Sequence, residues 1–214
     1  MPIFYQQQIN PSTRLGIWKI EETEEFFRYN VPMHRDVRHP HKRLQHLAGR
    51  FLLQWLFPDF PFELIQIADT RRPFIPDERY HFSISHCGDY AAAAVSRSER
   101  VGVDIEIPGG KIGRISEKFL GREEFENLHL NKAVNEKSKL QKLTILWAAK
   151  ESVFKWYGEG AVDFREHIQI QSIDEQEKSI RIFFKPSATE LQIHYQAFES
   201  LCLAWVVEAY SQVR

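Results

Sequence analysis

The sequence is poor in cysteine and lacks the residue patterns of a disulfide-stabilised or metal-stabilised small domain. Its 214 residues include only two cysteines. Cys87 and Cys202 lie far apart, and neither has a second cysteine or a histidine at the spacing of a zinc site. We therefore expect two free, buried thiols in a reducing compartment.

Long apolar runs and an excess of charge of one sign are also absent. No run approaches the ~20 apolar residues that span a bilayer, and residues 1–18 lack the basic and apolar regions of a signal peptide. The formal net charge is −1, which argues against general nucleic-acid binding because phosphate contacts need a cationic excess. We expect a cytoplasmic monomer that binds neither membranes nor nucleic acid.

The composition is that of a globular protein with a substantial core, since 43% of the residues are hydrophobic and 27% are charged. Apolar periodicity and turn residues predict helices and strands in both halves of the chain. Helices are expected at 40–57, 115–130 and 140–156, with a loop at 131–139. Strands are expected at 3–9, 15–20, 81–85, 90–96, 101–107, 168–173, 179–184, 191–198 and 202–209. The short connectors between the three strands from 81 to 107 favour antiparallel hairpins. Each half therefore combines helical material with a small sheet, which predicts an α+β fold.

The strand at 101–107, VGVDIEI, alternates apolar residues with Gly102, Asp104 and Glu106. Successive side chains of a strand point to opposite faces, so the two carboxylates share one face and the apolar residues can be buried on the other. Close carboxylates repel unless a cation or a proton lies between them. Mg²⁺ prefers such oxygen ligands, although acidic residues on a strand are also common on a solvated face.

The segment 147–155, WAAKESVFK, is predicted to be helical, with Trp147, Glu151 and Lys155 on one face. Glu151 can supply a third carboxylate, and Lys155 a cation one turn further on. The alternative is a surface ion pair between these two residues, which contributes only ~0.3–0.5 kcal/mol. Trp147 and Phe154 are expected to pack in the core.

Four stretches in sequence order resemble the motifs of a known family. They are HFSISH at 81–86, GVDIE at 102–106, KFL at 118–120 with Glu124, and WAAKES at 147–152 continuing to Lys155. Together they resemble the 4′-phosphopantetheinyl transferases, in particular the larger type that activates surfactin synthetase. The matching motifs cover roughly residues 40–160, and the rest of the chain has compatible strands without diagnostic residues.

The resemblance implies a fold and a reaction. The fold consists of two similar α/β subdomains related by a pseudo-twofold axis, here 1–107 and 108–214, with the active site in the cleft between them. In the reaction, a serine of an acyl or peptidyl carrier protein attacks the β-phosphate of coenzyme A. Phosphopantetheine is transferred to that serine, and 3′,5′-ADP leaves in a Mg²⁺-dependent step.

The resemblance also assigns roles to the acidic residues and to the lysine. Asp104, Glu106 and Glu151 would hold Mg²⁺ against the diphosphate, and Lys155 would contact a phosphate oxygen as a point charge. The carrier serine needs a proton acceptor. Glu151, Glu106 acting through a metal-bound water, and Glu124 are all candidates, and the sequence does not rank them.

Further residues would contact coenzyme A. Ser85 and His86 would lie at its diphosphate, and Arg43, Arg50 and Arg72 would bind its phosphates, the 3′-phosphate in particular, because guanidinium groups suit phosphate. Arg72 stands where the family usually has lysine. Arg50 could instead be a helix-surface charge, and His86 a structural histidine.

Two other classes of function remain open at this stage. One is a metal-dependent hydrolase that uses the same carboxylates with water as the nucleophile. The other is a non-catalytic module that binds coenzyme A or a carrier protein. For the transferase, the basic residues Lys132, Lys137 and Lys139 form a candidate docking loop, although such charge runs are often only solvated.

Overall fold

The computed structural model of the protein describes residues 3–32, 37–130 and 135–208. Lys132 of the predicted docking loop lies outside these residues. These residues form two antiparallel sheets, a short two-stranded ribbon and five α-helices. The mixed α+β class is therefore confirmed.

The first sheet has four antiparallel strands in the order β1-β2-β6-β5, and one long helix, α2, packs on it. In the sequence between α2 and β5, two short strands, β3 and β4, pair with each other in a separate ribbon. The elements of this half are β1 (Ile3–Asn10), β2 (Thr13–Lys19), α1 (Glu24–Asn30), α2 (Pro40–Leu56), β3 (Gln66–Ile67), β4 (Pro73–Phe74), β5 (His81–Cys87) and β6 (Tyr90–Ser96).

The second sheet has five antiparallel strands in the order β7-β11-β10-β9-β8, covered by the long helix α5. The elements of this half are β7 (Arg100–Glu106), α3 (Gly110–Phe119), α4 (Arg122–Asn127), α5 (Glu136–Tyr157), β8 (Ile168–Asp174), β9 (Ser179–Phe184), β10 (Thr189–Ala197) and β11 (Cys202–Glu208).

Helix α5 is longer than the sequence pattern predicted because a polar cap begins it. The Asn135 side chain accepts a hydrogen bond from the backbone N–H of Ser138 at 2.8 Å, which satisfies a free donor of the first turn. The helix ends at Gly158, which is in the left-handed conformation with φ of 71°. Lys137 and Lys139 therefore lie on the first turn of a helix and not in the predicted loop.

The predicted helix at 115–130 is two helices. Helix α3 ends at Phe119, and α4 begins at Arg122 after the extended residues Leu120 and Gly121. The break allows Glu124, in the first turn of α4, to accept the backbone N–H of Gly121 at 2.7 Å. This bond caps α4 and turns the Glu124 side chain inward.

The buried residues form a core on each side of the two sheets and a third core between them. One core lies between α2 and the first sheet, and a second lies between α5 and the second sheet. In the third, residues of β2 and β6 meet residues of β7 and β11, with Val101, Val103 and Ile105 contributed by β7. The layers therefore run helix, sheet, sheet, helix.

The position of β7 corrects the prediction of a hairpin between the strands at 90–96 and 101–107. β7 pairs along its whole length with β11, with Asp104 opposite Ala204. It thus belongs by hydrogen bonding to the second sheet. A short connector permits a hairpin, but burial of the apolar face of β7 between the two sheets decides the pairing here. The division at residue 107 stays a prediction, and the hydrogen bonding favours a boundary before β7.

In the described part of the chain, no helix is both long enough and apolar enough to cross a membrane.

Candidate active site

The alternating sequence of β7 predicted an acidic face, and this face lies directly under α5. Val101, Val103 and Ile105 face the first sheet, so the residues between them face the helix. Gly102 has no side chain, and a Cβ at this position would lie 1.9 Å from the carbonyl oxygen of Ser152 on α5. The glycine therefore lets the helix backbone contact the strand, which brings the carboxylates of β7 to the side chains of α5.

Asp104 is the most enclosed of the three predicted metal ligands, with 3% of its surface exposed. Its Oδ1 accepts hydrogen bonds from Ser85 Oγ and Lys155 Nζ, both at 2.7 Å. Its Oδ2 is buried and has no hydrogen-bond partner in the described residues. A buried carboxylate oxygen without a donor is costly, so this atom is suited to a ligand.

Two serines of β5 join the two sheets where their edges meet. The hydroxyl of Ser83 accepts the backbone N–H of Val103 at 3.1 Å, and that of Ser85 accepts the N–H of Ile105 at 3.3 Å. Ser85 was predicted to contact coenzyme A. Its hydroxyl donates to Asp104 and accepts from β7, and contact with coenzyme A stays a prediction.

Glu106 is held from two sides. Its Oε1 accepts the indole N–H of Trp147 at 3.2 Å, and the thiol of Cys87 donates to Oε2 at 3.5 Å. Burial, with the nearby charge of Asp104, raises the pKa of Glu106 above its usual value. Trp147 packs in the core as predicted, but its polar edge reaches the acidic cluster, which the sequence did not show.

Glu151 faces the same cluster from α5. Burial, with the negative charges of Asp104 and Glu106, raises the pKa of Glu151 from 4.5 to about 7, although Lys155 opposes the shift. The three carboxylates and Lys155 therefore lie close enough to interact electrostatically. At neutral pH this excess of negative charge favours binding of a cation.

The residues fit a hard divalent cation in charge and in donor chemistry. They supply carboxylate oxygens, one of which is the buried Oδ2 of Asp104, without a hydrogen-bond partner in the part of the chain that the structure describes. In the arrangement seen, however, no three His, Cys, Asp or Glu side chains among residues 3–32, 37–130 and 135–208 are placed to hold one metal ion. Lys155 occupies Oδ1 of Asp104 instead. Joint coordination by Asp104, Glu106 and Glu151 therefore stays a prediction.

Glu124 is separate from this cluster, and its donors argue against the role of proton acceptor for which it was a candidate. Lys150 Nζ lies 2.8 Å from its Oε1 and 3.0 Å from its Oε2. The backbone N–H groups of Gly121 and Ile170 donate to the same carboxylate at 2.7 Å. Lys150 is fully buried and also donates to the carbonyl of Phe119 at 2.7 Å. Because both carboxylate oxygens are occupied by donors, Glu124 anchors α4 to α5 and β8.

A basic cleft of about 520 Å³ lies next to the end of β5 and is lined by Arg50, His46, Arg71 and His86 with apolar neighbours. None of the described residues that line it carries a carboxylate. Arg50 is 4% exposed, and its Nη1 has no partner in the described residues. Burial lowers the pKa of its guanidinium. Arg50 is therefore not the surface charge that was the alternative interpretation.

The basic cleft continues toward the acidic cluster. A neighbouring cavity of about 230 Å³ shares Arg71, Pro73, Phe82 and Ile84 with it and is also lined by Lys155. A groove thus runs from Arg50 to Lys155. His46 and Arg71 were missed as cleft residues, although His46 lies four residues before Arg50 on the same helix face.

The other two predicted phosphate ligands differ from Arg50. Arg72 is half-buried, lines the 230 Å³ cavity and lies against Gly158, where a Cβ would come 2.3 Å from its Cδ. The guanidinium of Arg43 donates to Glu24 Oε1 and to the carbonyl of Val37, both at 2.8 Å, and its contact with coenzyme A stays a prediction. Arg43 thereby ties α2 to α1 and is absent from the lining of the cleft.

This fold and site define an α+β protein with an acidic cluster, a lysine and a basic groove at the junction of two sheets. The model of the 4′-phosphopantetheinyl transferase superfamily matches residues 100–207, slightly more than half of the chain. The chain belongs to this superfamily.

Curated proteins that resemble the chain carry related names. Enterobactin synthase component D of Escherichia coli K12 is 31% identical over 134 residues, covering 58% of this chain and 60% of that protein. A putative 4′-phosphopantetheinyl transferase of Haemophilus influenzae is 33% identical over 132 residues, covering 58% and 54%. The L-aminoadipate-semialdehyde dehydrogenase-phosphopantetheinyl transferase of Xenopus laevis is 29% identical over 130 residues, covering 53% and 43%. The matches thus span less than two thirds of each relative.

Proposed function

We propose that this protein transfers 4′-phosphopantetheine from coenzyme A to a serine of an acyl or peptidyl carrier protein. The serine oxygen bonds to the β-phosphorus of coenzyme A, and the bond from that phosphorus to the bridging oxygen breaks, so that 3′,5′-ADP leaves. The serine proton passes to a carboxylate of the protein. Membership of the superfamily and the names of the relatives support this reaction.

The groove from Arg50 to Lys155 is the observation that carries the proposal. It is basic at one end and meets the acidic cluster at the other. Coenzyme A carries a 3′-phosphate and a diphosphate joined through adenosine, so it presents anions at two separated points. Arg50 suits the 3′-phosphate, and His86, first expected at the diphosphate, lines the same cleft as Arg50. Lys155 suits the diphosphate, with Arg72 beside it.

Phosphoryl transfer depends mainly on positioning and on neutralisation of charge. Asp104, Glu106 and Glu151 would hold Mg²⁺, which when bound neutralises the diphosphate. Lys155 can release Asp104 and donate to a phosphate oxygen, because its side chain is partly exposed. With Glu124 occupied by donors, Glu151 and Glu106 remain as proton acceptors. The raised pKa of Glu151, about 7, suits a general base near neutral pH.

We also propose the larger, two-subdomain type of the family. Two sheets on one chain, each with its own covering helix, support this assignment. A similarly built pair of halves would place coenzyme A at the junction where β5 meets β7.

Mass spectrometry tests the proposal directly. A panel of apo acyl and peptidyl carrier domains is incubated with the protein, coenzyme A and Mg²⁺, and a gain of one phosphopantetheine mass is expected on at least one carrier. EDTA should abolish the gain, and added Mg²⁺ or Mn²⁺ should restore it. Asp104→Ala and Glu151→Ala should be folded and inactive, while Glu117→Ala, on an exposed face of α3, should be active.

Two outcomes would contradict the proposal. Release of phosphate from simple esters without any carrier would indicate a metal-dependent hydrolase. Binding of coenzyme A without modification of any carrier would indicate a binding module.

A further inference from the structure

The contact between Trp147 and Glu106 gives this tryptophan a role beyond core packing. Its indole N–H donates to Glu106 Oε1 at 3.2 Å. Its ring stacks on Phe164, with centroids 5.4 Å apart and planes 20° apart, and meets the edge of Phe119 at 5.1 Å. The ring is thus confined by aromatic neighbours, while its single polar atom points at the acidic cluster.

Glu106 depends on this donor for its orientation. A glutamate side chain rotates about three bonds, and it loses that freedom only where partners hold it. The partners of its carboxylate in the described residues are the indole of Trp147 and, at the longer distance of 3.5 Å, the thiol of Cys87. Because a thiol is a weak donor, the indole N–H is the stronger constraint.

We propose that Trp147 is a positioning residue, whose indole N–H fixes the carboxylate of Glu106 in the orientation needed to bind a divalent cation with Asp104. This inference rests on the proposed function, in which Glu106 is a metal ligand. Removal of a residue that hydrogen-bonds to a metal ligand typically lowers the affinity for the metal by 10–100-fold. Packing alone would require the volume of the bicyclic ring but not an N–H at this position.

Trp156→Phe provides a matched control for Trp147→Phe. Trp156 lies on the same helix and donates its indole N–H to the backbone carbonyl of Glu208 at 3.0 Å. Both substitutions remove an indole hydrogen bond and keep an aromatic ring, but only Trp147→Phe removes a donor to Glu106. A merely structural role predicts the same behaviour for the two variants.

The first measurement uses the metal-free protein. In ¹⁵N–¹H spectra, the indole signal that disappears in Trp147→Phe identifies Trp147. Glu106→Gln replaces the charged acceptor by a neutral one, so this signal should move while the signal of Trp156 stays in place. A Trp147 signal that is unchanged in Glu106→Gln would overturn the inference.

The second measurement is binding of Mn²⁺ by calorimetry. Trp147→Phe should weaken binding by about tenfold or more, and Trp156→Phe should leave it within twofold. In the transfer assay, Trp147→Phe should need correspondingly more metal and recover most of its kcat at saturating Mn²⁺. Equal Mn²⁺ affinity in the two variants would overturn the inference.

A shape-preserving variant covers the case in which Trp147→Phe fails to fold. Replacement of Trp147 by 3-benzothienylalanine keeps the bicyclic ring and exchanges the N–H for sulfur, so it should fold and still lose Mn²⁺ affinity. The result is separable from the main proposal. Loss of Mn²⁺ affinity in a protein that modifies no carrier would support the role of Trp147 and reject the transferase, whereas an unaffected variant of an active transferase would reject only the role of Trp147.

Discussion

Gly102 on β7 lies against the backbone of Ser152 on α5 so closely that the two elements have no side chain between them. A Cβ on Gly102 would lie 1.9 Å from the Ser152 carbonyl oxygen and 2.8 Å from the backbone nitrogen of Trp156. The atoms in the way are backbone atoms of a helix, which cannot move aside individually. The distance between strand and helix, and hence between Asp104 and the side chains of α5, depends on this glycine.

Gly102→Ala should therefore destabilise the protein and displace the acidic cluster. Overpacking of a core costs about 1–3 kcal/mol, and we expect a loss of about 3 kcal/mol because the contact is with backbone. Urea unfolding measures the loss. Gly110→Ala is the control, since nothing lies within 4 Å of a Cβ there, and a similar loss in both variants would show that the close contact is unimportant.

Glu151 should make the metal-free protein less stable as pH rises. Its pKa is raised from 4.5 to about 7 in the folded protein, so between these values the folded state keeps a proton that the unfolded chain releases. Stability is unaffected below this window, falls through it, and stays lowered above it. Glu151→Gln removes the effect and should stabilise the protein at pH 8 by about 1–3 kcal/mol, with little change at pH 4.5.

Unfolding in EDTA at both pH values checks this expectation, with the exposed Glu117→Gln as the control. A gain in stability from Glu151→Gln that is equal at the two pH values would be evidence against the raised pKa.

Arg50 and Arg43 should behave oppositely, although they lie on the same helix. Arg50 is buried, and its Nη1 has no partner among the described residues, so Arg50→Met should stabilise the ligand-free protein by about 1–2 kcal/mol. It should also weaken binding of 3′,5′-ADP by about 10–100-fold, with little effect on AMP, which lacks the 3′-phosphate.

Arg43→Met should lower stability, because it breaks the contacts with Glu24 and Val37. It should leave the ratio of the two nucleotide affinities unchanged. Thermal unfolding and calorimetry measure both variants. If the ratio of the affinities for 3′,5′-ADP and AMP is unchanged in Arg50→Met, the 3′-phosphate does not bind in this cleft.

Ser85→Ala should cost more activity than Ser83→Ala at a similar cost in stability. Both variants leave a buried N–H of β7 without its acceptor, which costs about 1–3 kcal/mol. Only Ser85 also donates to Asp104, at 2.7 Å, so only its loss removes one of the two donors to that carboxylate, the other being Lys155. The transfer rate at limiting Mg²⁺ distinguishes the two, and equal rates would show that the hydroxyl of Ser85 does not orient Asp104.

Local pattern was sufficient to predict part of the site. The alternation around Asp104 and Glu106 predicted that they share one face of a strand opposite a buried face, and the structure confirms this. The helical spacing of Trp147, Glu151 and Lys155 was likewise confirmed. Both predictions depend only on the periods of strand and helix.

Contacts distant in the sequence were not predictable in the same way. β7 pairs with β11, about a hundred residues further on, because burial between two sheets outweighs a short connector. Glu124 matched a family motif, but spacing could not reveal that Lys150 and two backbone N–H groups occupy it. The glycine of the GVDIE stretch was a usable signal, since glycine within a strand often marks a close approach of another backbone.

The seam between β5 and β7 is fastened by two hydroxyl groups in place of a continuous backbone ladder. The hydrogen bonds of the Val103 and Ile105 amides should therefore open more readily than the backbone hydrogen bonds within either sheet. A ligand bound across the groove would hold the two halves together and keep these two hydrogen bonds closed. Deuterium uptake at these two amides would then report how often the halves part, and nucleotide binding should slow it.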